Sequence, residues 1–234
     1  MTIRKRRLGV EATLISASLL LGATGSLAPL ASHRNGHDFD LVASAHPASP
    51  HTSDTDSTAA FERGHGKQIK ADASATSSAT CDSCRGSATA LQVISLDNTR
   101  QATTDNTATA WSSCRDCGAT SVSLQVVVMR PGTSLTTRNR ALAVNTSCER
   151  CTTAAVAVQL VVVSKDSRTL SRDGRERLEA LAAQVGAQLR NTALAKGVRA
   201  AQAHGQAGLP GLDALISDEL NPMTVQRHLD VKTG

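Results

Sequence analysis

Aromatic side chains are almost absent, with one Trp, two Phe and no Tyr in 234 residues. Val, Leu, Ile and Ala must therefore supply nearly all the buried area, and a small aliphatic core of that kind is marginal without covalent help. The same lack removes the stacking platform on which single-stranded nucleic acid is held. Charge gives that partner no support either. The formal charge is +5, but Arg4, Lys5, Arg6 and Arg7 crowd the N-terminus, and a chain starting after residue 31 loses them and Glu11 and carries about +2. No Lys/Arg stripe is left to follow a phosphate backbone, so nucleic acid is excluded as a partner. Catalytic signatures are missing too: there is no G-x-S-x-G, H-E-x-x-H, P-loop or G-x-G-x-x-G. His204 and His228 have no Ser or Cys at a spacing that implies a nucleophilic pair. No catalytic residue is assigned, and the chain is read as non-enzymatic.

The first segment points to a compartment. The basic residues 4–7 precede an apolar, small-residue run at 14–31, LISASLLLGATGSLAPLA, as an export signal requires. Residues 1–31 are therefore read as a signal peptide, cut near Ala28 or Ala31, and the protein as secreted or associated with the cell envelope. The adjacent Arg6 and Arg7 carry a weak hint of twin-arginine export. The run is about long enough to span a bilayer, so membrane contact is expected only if it stays uncleaved. Residues 32–80 are rich in Ser, Thr, Ala, Asp and Gly and hold His33, His37, His46, His51 and His65. Such a stretch buries too little apolar surface to offset its ordering entropy, which predicts a disordered linker. Its histidines are read as solvated; a loose metal-scavenging tail is the rival reading.

Six cysteines follow in a strict frame. Cys81, Cys114 and Cys148 stand 33 and 34 residues apart, each followed by Cys at +3 (Cys84, Cys117, Cys151) and Gln at +11 (Gln92, Gln125, Gln159). Fourteen residues after Gln92 and after Gln125 come Asn106 and Asn139, each opening an alternating run: Asn106, Ala108, Ala110, Ser112, and Asn139, Ala141, Ala143, Asn145. These intervals define a supersecondary unit of about 33 residues in three copies, the first lacking a clear upstream arm.

Downstream of each CxxC, small and β-branched residues alternate and end in runs such as LVVV at 160–163. That pattern predicts strands buried on both faces, and a unit reads as strand, CxxC turn, strand. The competing reading is mainly α, because offsets 0, +3, +7 and +11 also share one helical stripe. Beyond the repeats, Leu178, Leu181, Ala182, Val185 and Leu189 recur at three and four, with Ser171 or Asp173 as cap, predicting a helix over 172–190. Weaker helices are expected at 192–204 and 212–220, within a partly flexible tail, 191–234. The fold class is α+β: hairpin or meander repeats with CxxC turns over 81–190, closed by the amphipathic helix and preceded by the disordered spacer.

Three readings of the cysteines stay open. In an exported chain, disulfides Cys81–Cys84, Cys114–Cys117 and Cys148–Cys151 repeat one bond three times, although pairing between neighbouring repeats would restrain the unfolded chain more. CxxC is also the dithiol motif of oxidoreductases, and two pairs of reduced thiols would suit zinc. No cofactor is assigned, zinc entering only if the thiols are reduced. Gln92, Gln125 and Gln159 are read as structural amides able to align as a ladder. Trp111 is read as buried packing, with a surface anchor as the alternative, and residues 145–147 (Asn-Thr-Ser) as a glycosylation acceptor or a tight turn.

These repeats resemble uncharacterised exported proteins of high-GC Gram-positive bacteria, whose domains repeat N-x-A-x-A-x-N, C-x-x-C and T-x-A-x-A-x-Q-V-V-V before a helix. Asn139, Asn145, Cys148, Cys151, Thr153, Ala155, Ala157, Gln159, Val161, Val162, Val163, Gly174 and Arg175 carry the likeness. The resemblance covers about 100 residues. It implies export and a repeat domain, and no activity. The function expected is therefore structural or interactive, at the envelope or outside the cell, with a protein or envelope component as partner. The rival is a CxxC thiol-redox or zinc-binding protein.

Overall fold

The computed structural model describes residues 38–234 apart from 167 and 208. The expected signal peptide at 1–31, and with it His33 and His37, lies outside the described residues.

Alternating small and polar residues produce eight consecutive strands: β1 (Asp38–Ala45), β2 (Ser53–His65), β3 (Gln68–Ala79), β4 (Arg85–Asp97), β5 (Gln101–Ser112), β6 (Gly118–Met129), β7 (Ser134–Asn145) and β8 (Thr152–Val163). The odd strands form one parallel sheet in the order β1-β3-β5-β7 and the even strands another, β2-β4-β6-β8. One odd and one even strand make a coil, and the chain winds through four stacked coils. This is a two-sheet, solenoid-like stack, in which each unit buries its faces only against its neighbours.

Two expectations are corrected here. The arms of a unit do not pair as a hairpin or meander: the CxxC turn carries the chain across to the opposite sheet, and each arm pairs with the same arm of the next coil. Gln92 lies opposite Gln125, and Gln125 opposite Gln159. Copied sequences favour this arrangement because like side chains then stack at every level. The mainly α alternative fails for the same units, whose consecutive β-branched residues suit a pleated surface covered on both sides.

The predicted linker is also corrected. Residues 38–79 supply β1, β2 and β3, and so the whole first coil and the missing upstream arm of the second. Ala71, Ala73, Ala75 and Ala79 alternate inward with essentially no exposure. The entropy argument failed because a strand in a stack needs little bulk: its backbone is bonded to its neighbours, and the facing sheet lies close enough for alanine to fill the gap.

The interior changes character along the strands. Near the cysteine turns it is Ala and Cys, including Ala108, Ala110, Ala119, Ala155 and Ala157. At the far end Ile69, Ile94, Leu96 and Val127 fill a wider space. Between them runs a band of buried Gln, Asn, Ser and Thr.

The even-strand sheet is buried on its outer face as well. Val122, Leu124, Val126, Val156, Val158, Leu160 and Val162 form one cluster with Leu178, Val185, Leu189, Leu212, Leu215 and Leu220 of the helical layer. That layer comprises α1 (Arg172–Lys196), α2 (Val198–Ala207) and α3 (Pro210–Leu220). Burial of apolar area stabilises at about 25 cal/mol per Å², and in a chain so poor in aromatics this seam must rely on aliphatic side chains. Ser171 caps α1 by accepting from the Gly174 N–H at 2.9 Å, while Glu219 of α3 accepts from both the Ser171 N–H and its hydroxyl. Gly186 permits a close approach of α1 to β6, since a Cβ there would fall 2.6 Å from a Val122 methyl. Among the described residues no helix is long and apolar enough to cross a membrane.

The expected flexible tail is corrected too, because β9 (Thr224–Thr233) pairs antiparallel with β8 and ends the even-strand sheet. Both edges of the odd-strand sheet meet carboxylates. On β1, the N–H groups of Ser44 and His46 donate to Asp56 and Asp54 of β2, each at 2.6 Å. On β7, the Ala141 N–H donates to Asp230 of β9 at 2.9 Å. Acceptors placed this way occupy donors that an added strand would need.

Candidate functional site

The three CxxC turns stack along one side of the molecule, each leading from an odd strand into an even one. Within each turn the two cysteines are at disulfide distance, with Cα separations of 5.5 Å for Cys81 and Cys84, 5.9 Å for Cys114 and Cys117, and 5.7 Å for Cys148 and Cys151. The residue before the second cysteine is left-handed in every copy: Ser83 at φ 58°, Asp116 at 56° and Arg150 at 55°. That conformation curls the chain tightly enough for the cysteines to meet, and for a residue with a Cβ it costs roughly 1–2 kcal/mol. A backbone bond to the next turn offsets the cost: Ser83 N–H donates to Arg115 O at 2.8 Å, and Asp116 N–H to Glu149 O at 2.9 Å. His51 does the same in the first coil, at φ 59° and donating to Asp82 O, with no cysteine beside it.

The residues between the cysteines look unrelated in sequence, yet stacking makes them complementary columns. Arg115 bridges Asp82 and Glu149, its backbone N–H donating to the Asp82 carboxylate at 3.0 Å and its side-chain Nε to Glu149 at 3.2 Å. Arg150 grips Asp116 through two bonds of 2.6 and 2.7 Å. The Arg150 hydrogen bond holds the Asp116 carboxyl below its ordinary range, and the same contact raises Arg150. Both groups are in water, so the pair sets register more than stability.

The sulfurs sit among carbonyl oxygens. Cys114 Sγ is 3.0 Å from Ala79 O, Cys151 Sγ is 3.0 Å from Cys114 O, and Cys81 Sγ is 3.2 Å from Ser49 O. No helix begins at any of the three turns, each of which runs into a strand, so the positive helix end that activates dithiol enzymes is not supplied. Between coils, Cys117 Sγ and Cys151 Sγ approach to 3.2 Å. Cys114, Cys117 and Cys151 bring their sulfurs within 4.8 Å of one another, and among the described residues this is the only grouping of three or more His, Cys, Asp or Glu that a metal could bridge. Three sulfurs this close could hold a soft cation only as thiolates, not while paired.

Two amide ladders bind the sheets together behind the turns. Gln159 donates to Gln125 at 2.6 Å, Gln125 to Gln92 at 2.7 Å, and Gln92 to the Glu62 carboxylate at 3.1 Å. The same amides also reach back to the preceding coil, at Thr104 Oγ1, Ala71 O and Phe39 O. Asn106 donates to Asn139 at 2.7 Å, so this second ladder points toward later coils, and its amides bond Ser123 O, Val158 O, Ala157 O and His228 O. Burial raises the pKa of Glu62, the Gln92 hydrogen bond opposing it in part.

Other predicted positions fall elsewhere. Trp111 is not core: it stands 38 % exposed on the outer face of the odd-strand sheet, with its indole N–H on Thr146 Oγ1 at 2.6 Å. It is paired in register with Val144, next to exposed Leu142. Asn145, at the end of β7, is half-buried with its Oδ1 out of contact with solvent. His46 is bonded to the Ser44 and Ser78 hydroxyls, and His204 to Gln188. What sequence reasoning missed is the first coil and Glu62; the A-x-A-x-A of residues 71–75 was the available signal.

Compared with protein families, with curated proteins and with solved structures, the chain matches none of them.

Proposed function

We propose that the protein is an exported, non-enzymatic structural or interaction protein of the cell envelope or extracellular space, built as a disulfide-stapled stack. The observation that carries this reading is the threefold placement of cysteine pairs at disulfide distance, each in the same turn and against carbonyl oxygens. Disulfides persist in oxidising compartments, and a chain with so few aromatics benefits from them. Residues 1–31 are the export signal on this reading. The interaction surface is the solvent face of the odd-strand sheet, where Trp111 is in register with Val144, next to exposed Leu142. An exposed Trp with aliphatic neighbours is suited to anchor a protein or envelope polymer. A thiol titration on the protein recovered from the culture medium tests this: no reactive thiol under denaturing conditions is expected, and a substantial free-thiol count would overturn it.

One observation favours a second reading, a thiol-redox or zinc-binding protein. It is the close grouping of Cys114, Cys117 and Cys151. Zinc retained by protein recovered without reductant would decide for that alternative.

A further inference from the structure

We propose that the third and fourth coils form a thiol–disulfide exchange site, in which Cys151, once released from Cys148, bonds to Cys117 and frees Cys114. The inference rests on the reading of the three pairs as disulfides and adds a chemistry to it. Cys117 Sγ lies 3.2 Å from Cys151 Sγ although the two belong to different turns, inside ordinary sulfur contact. Cys114, Cys117 and Cys151 are all within 4.8 Å of one another, so attacking, central and leaving sulfurs are already gathered.

The environment balances the two outcomes. A Cys151 thiol has Cys114 O as acceptor at 3.0 Å, and a Cys114 thiol has Ala79 O at 3.0 Å. Whichever of Cys151 and Cys114 is released thus has one carbonyl acceptor, and neither arrangement strands that sulfur without a partner. Cys117, the sulfur that changes partners, is 1 % exposed, whereas Cys148 and Cys151 are only partly buried. An outside thiol therefore meets the fourth coil more readily than Cys117.

The steps conserve atoms and electrons. A small-molecule thiolate attacks Cys148 Sγ, the Cys148–Cys151 bond breaks, and Cys151 leaves as thiolate. Cys151 then attacks Cys117 Sγ; the Cys117–Cys151 bond forms, the Cys114–Cys117 bond breaks, and Cys114 leaves with the electron pair and takes up a proton. A second small-molecule thiol resolves the mixed disulfide on Cys148 and departs as its own disulfide. The exchange step involves no net oxidation and proceeds through the thiolate, so it quickens as pH rises. Its product ties two coils together, where the starting bonds each closed only a turn.

The test uses the full chain with Cys148→Ser, held in a glutathione redox buffer, quenched with acid, alkylated and mapped by mass spectrometry. A peptide pair linked Cys117–Cys151, with Cys114 alkylated, is expected in at least about one molecule in ten, as befits a near-balanced exchange. Cys81→Ser is the control, leaving Cys84 alkylated and both other pairs intact. If Cys148→Ser alkylates only at Cys151 and keeps only Cys114–Cys117, the proposal fails. Should that variant not fold, the double variant Cys114→Ser/Cys148→Ser decides: a Cys117–Cys151 bond is expected on air oxidation, and two persistent free thiols would overturn it. A fully oxidised wild type with no exchange in these variants removes this inference alone and leaves the proposed function standing.

Discussion

Gln159 donates its side-chain amide to Gln125 across 2.6 Å, although 34 residues separate them in the chain. The bond exists because the coils repeat in register, and it is one of a series that ends on Glu62. A ladder of this kind makes the polar band of the interior as specific as an apolar one, since every glutamine amide N–H finds its acceptor on the coil before it.

Replacing a central rung costs more than replacing the last. Gln125→Leu removes the acceptor of Gln159 and the donor of Gln92, and about 3 kcal/mol of destabilisation is expected in urea unfolding. Gln159→Leu orphans fewer partners, because its own Oε1 already has none. A cost of about 1–2 kcal/mol is expected there, and equal or neutral effects would remove the ladder account.

The staples are worth less than their number suggests. A bond closing only the short turn between Cys114 and Cys117 restrains the unfolded chain by about 2 kcal/mol on loop entropy. Cys114→Ser/Cys117→Ser should therefore lower the melting temperature by several degrees and leave the β-sheet circular dichroism in place.

Glu62 sets a pH dependence. Burial lifts its pKa in the folded state, so folded protein holds the proton more tightly than unfolded protein does. The contribution of Glu62 to stability should be fully present below the ordinary carboxylate range and be lost as pH rises through the folded value, where a partly buried charge must be carried. Glu62→Gln should flatten the decline of the urea midpoint between about pH 4 and 7, the amide still able to accept from Gln92.

The contact of α1 with the even-strand sheet includes a close approach at Gly186. Gly186→Ala places a methyl against Val122, and about 1–3 kcal/mol of overpacking is expected. Val122→Ala in the same chain should recover part of the loss in a double-mutant cycle.

Freeing the first edge should promote association. Asp54→Ala/Asp56→Ala leaves the Ser44 and His46 N–H groups without acceptors on the open side of β1. Light scattering should detect concentration-dependent oligomers in the variant and not in the parent.

The strands β4, β6 and β8 and the helix α1 were legible because their residues face two apolar surfaces or carry an unmistakable stripe, as in LVVV or Leu178, Leu181, Ala182, Val185 and Leu189. The partner of each strand was not, since alternation tells that a segment is extended and not which neighbour it meets. Residues 38–79 were read as linker because Ser, Thr and Ala look too small to bury; only the facing sheet makes Ala71 or Ala75 a core residue. The cysteine pairing within a turn could be favoured from repetition alone. The charge columns could not, because Arg115 and Glu149 become partners only once the turns are stacked. Glu62 has no counterpart in the later copies, so nothing in the repeat frame pointed to it.

The carboxylates of Asp54, Asp56 and Asp230 also bear on how such a chain could lengthen. With both outer rims of the odd-strand sheet already engaged, a new unit appended to either end would meet occupied donors. A duplicated unit placed inside the series would instead find a matching neighbour above and below, with the same spacing of about 33 residues. Copy number is thus free to change between the first coil and β9, whose carboxylates act as fixed stops.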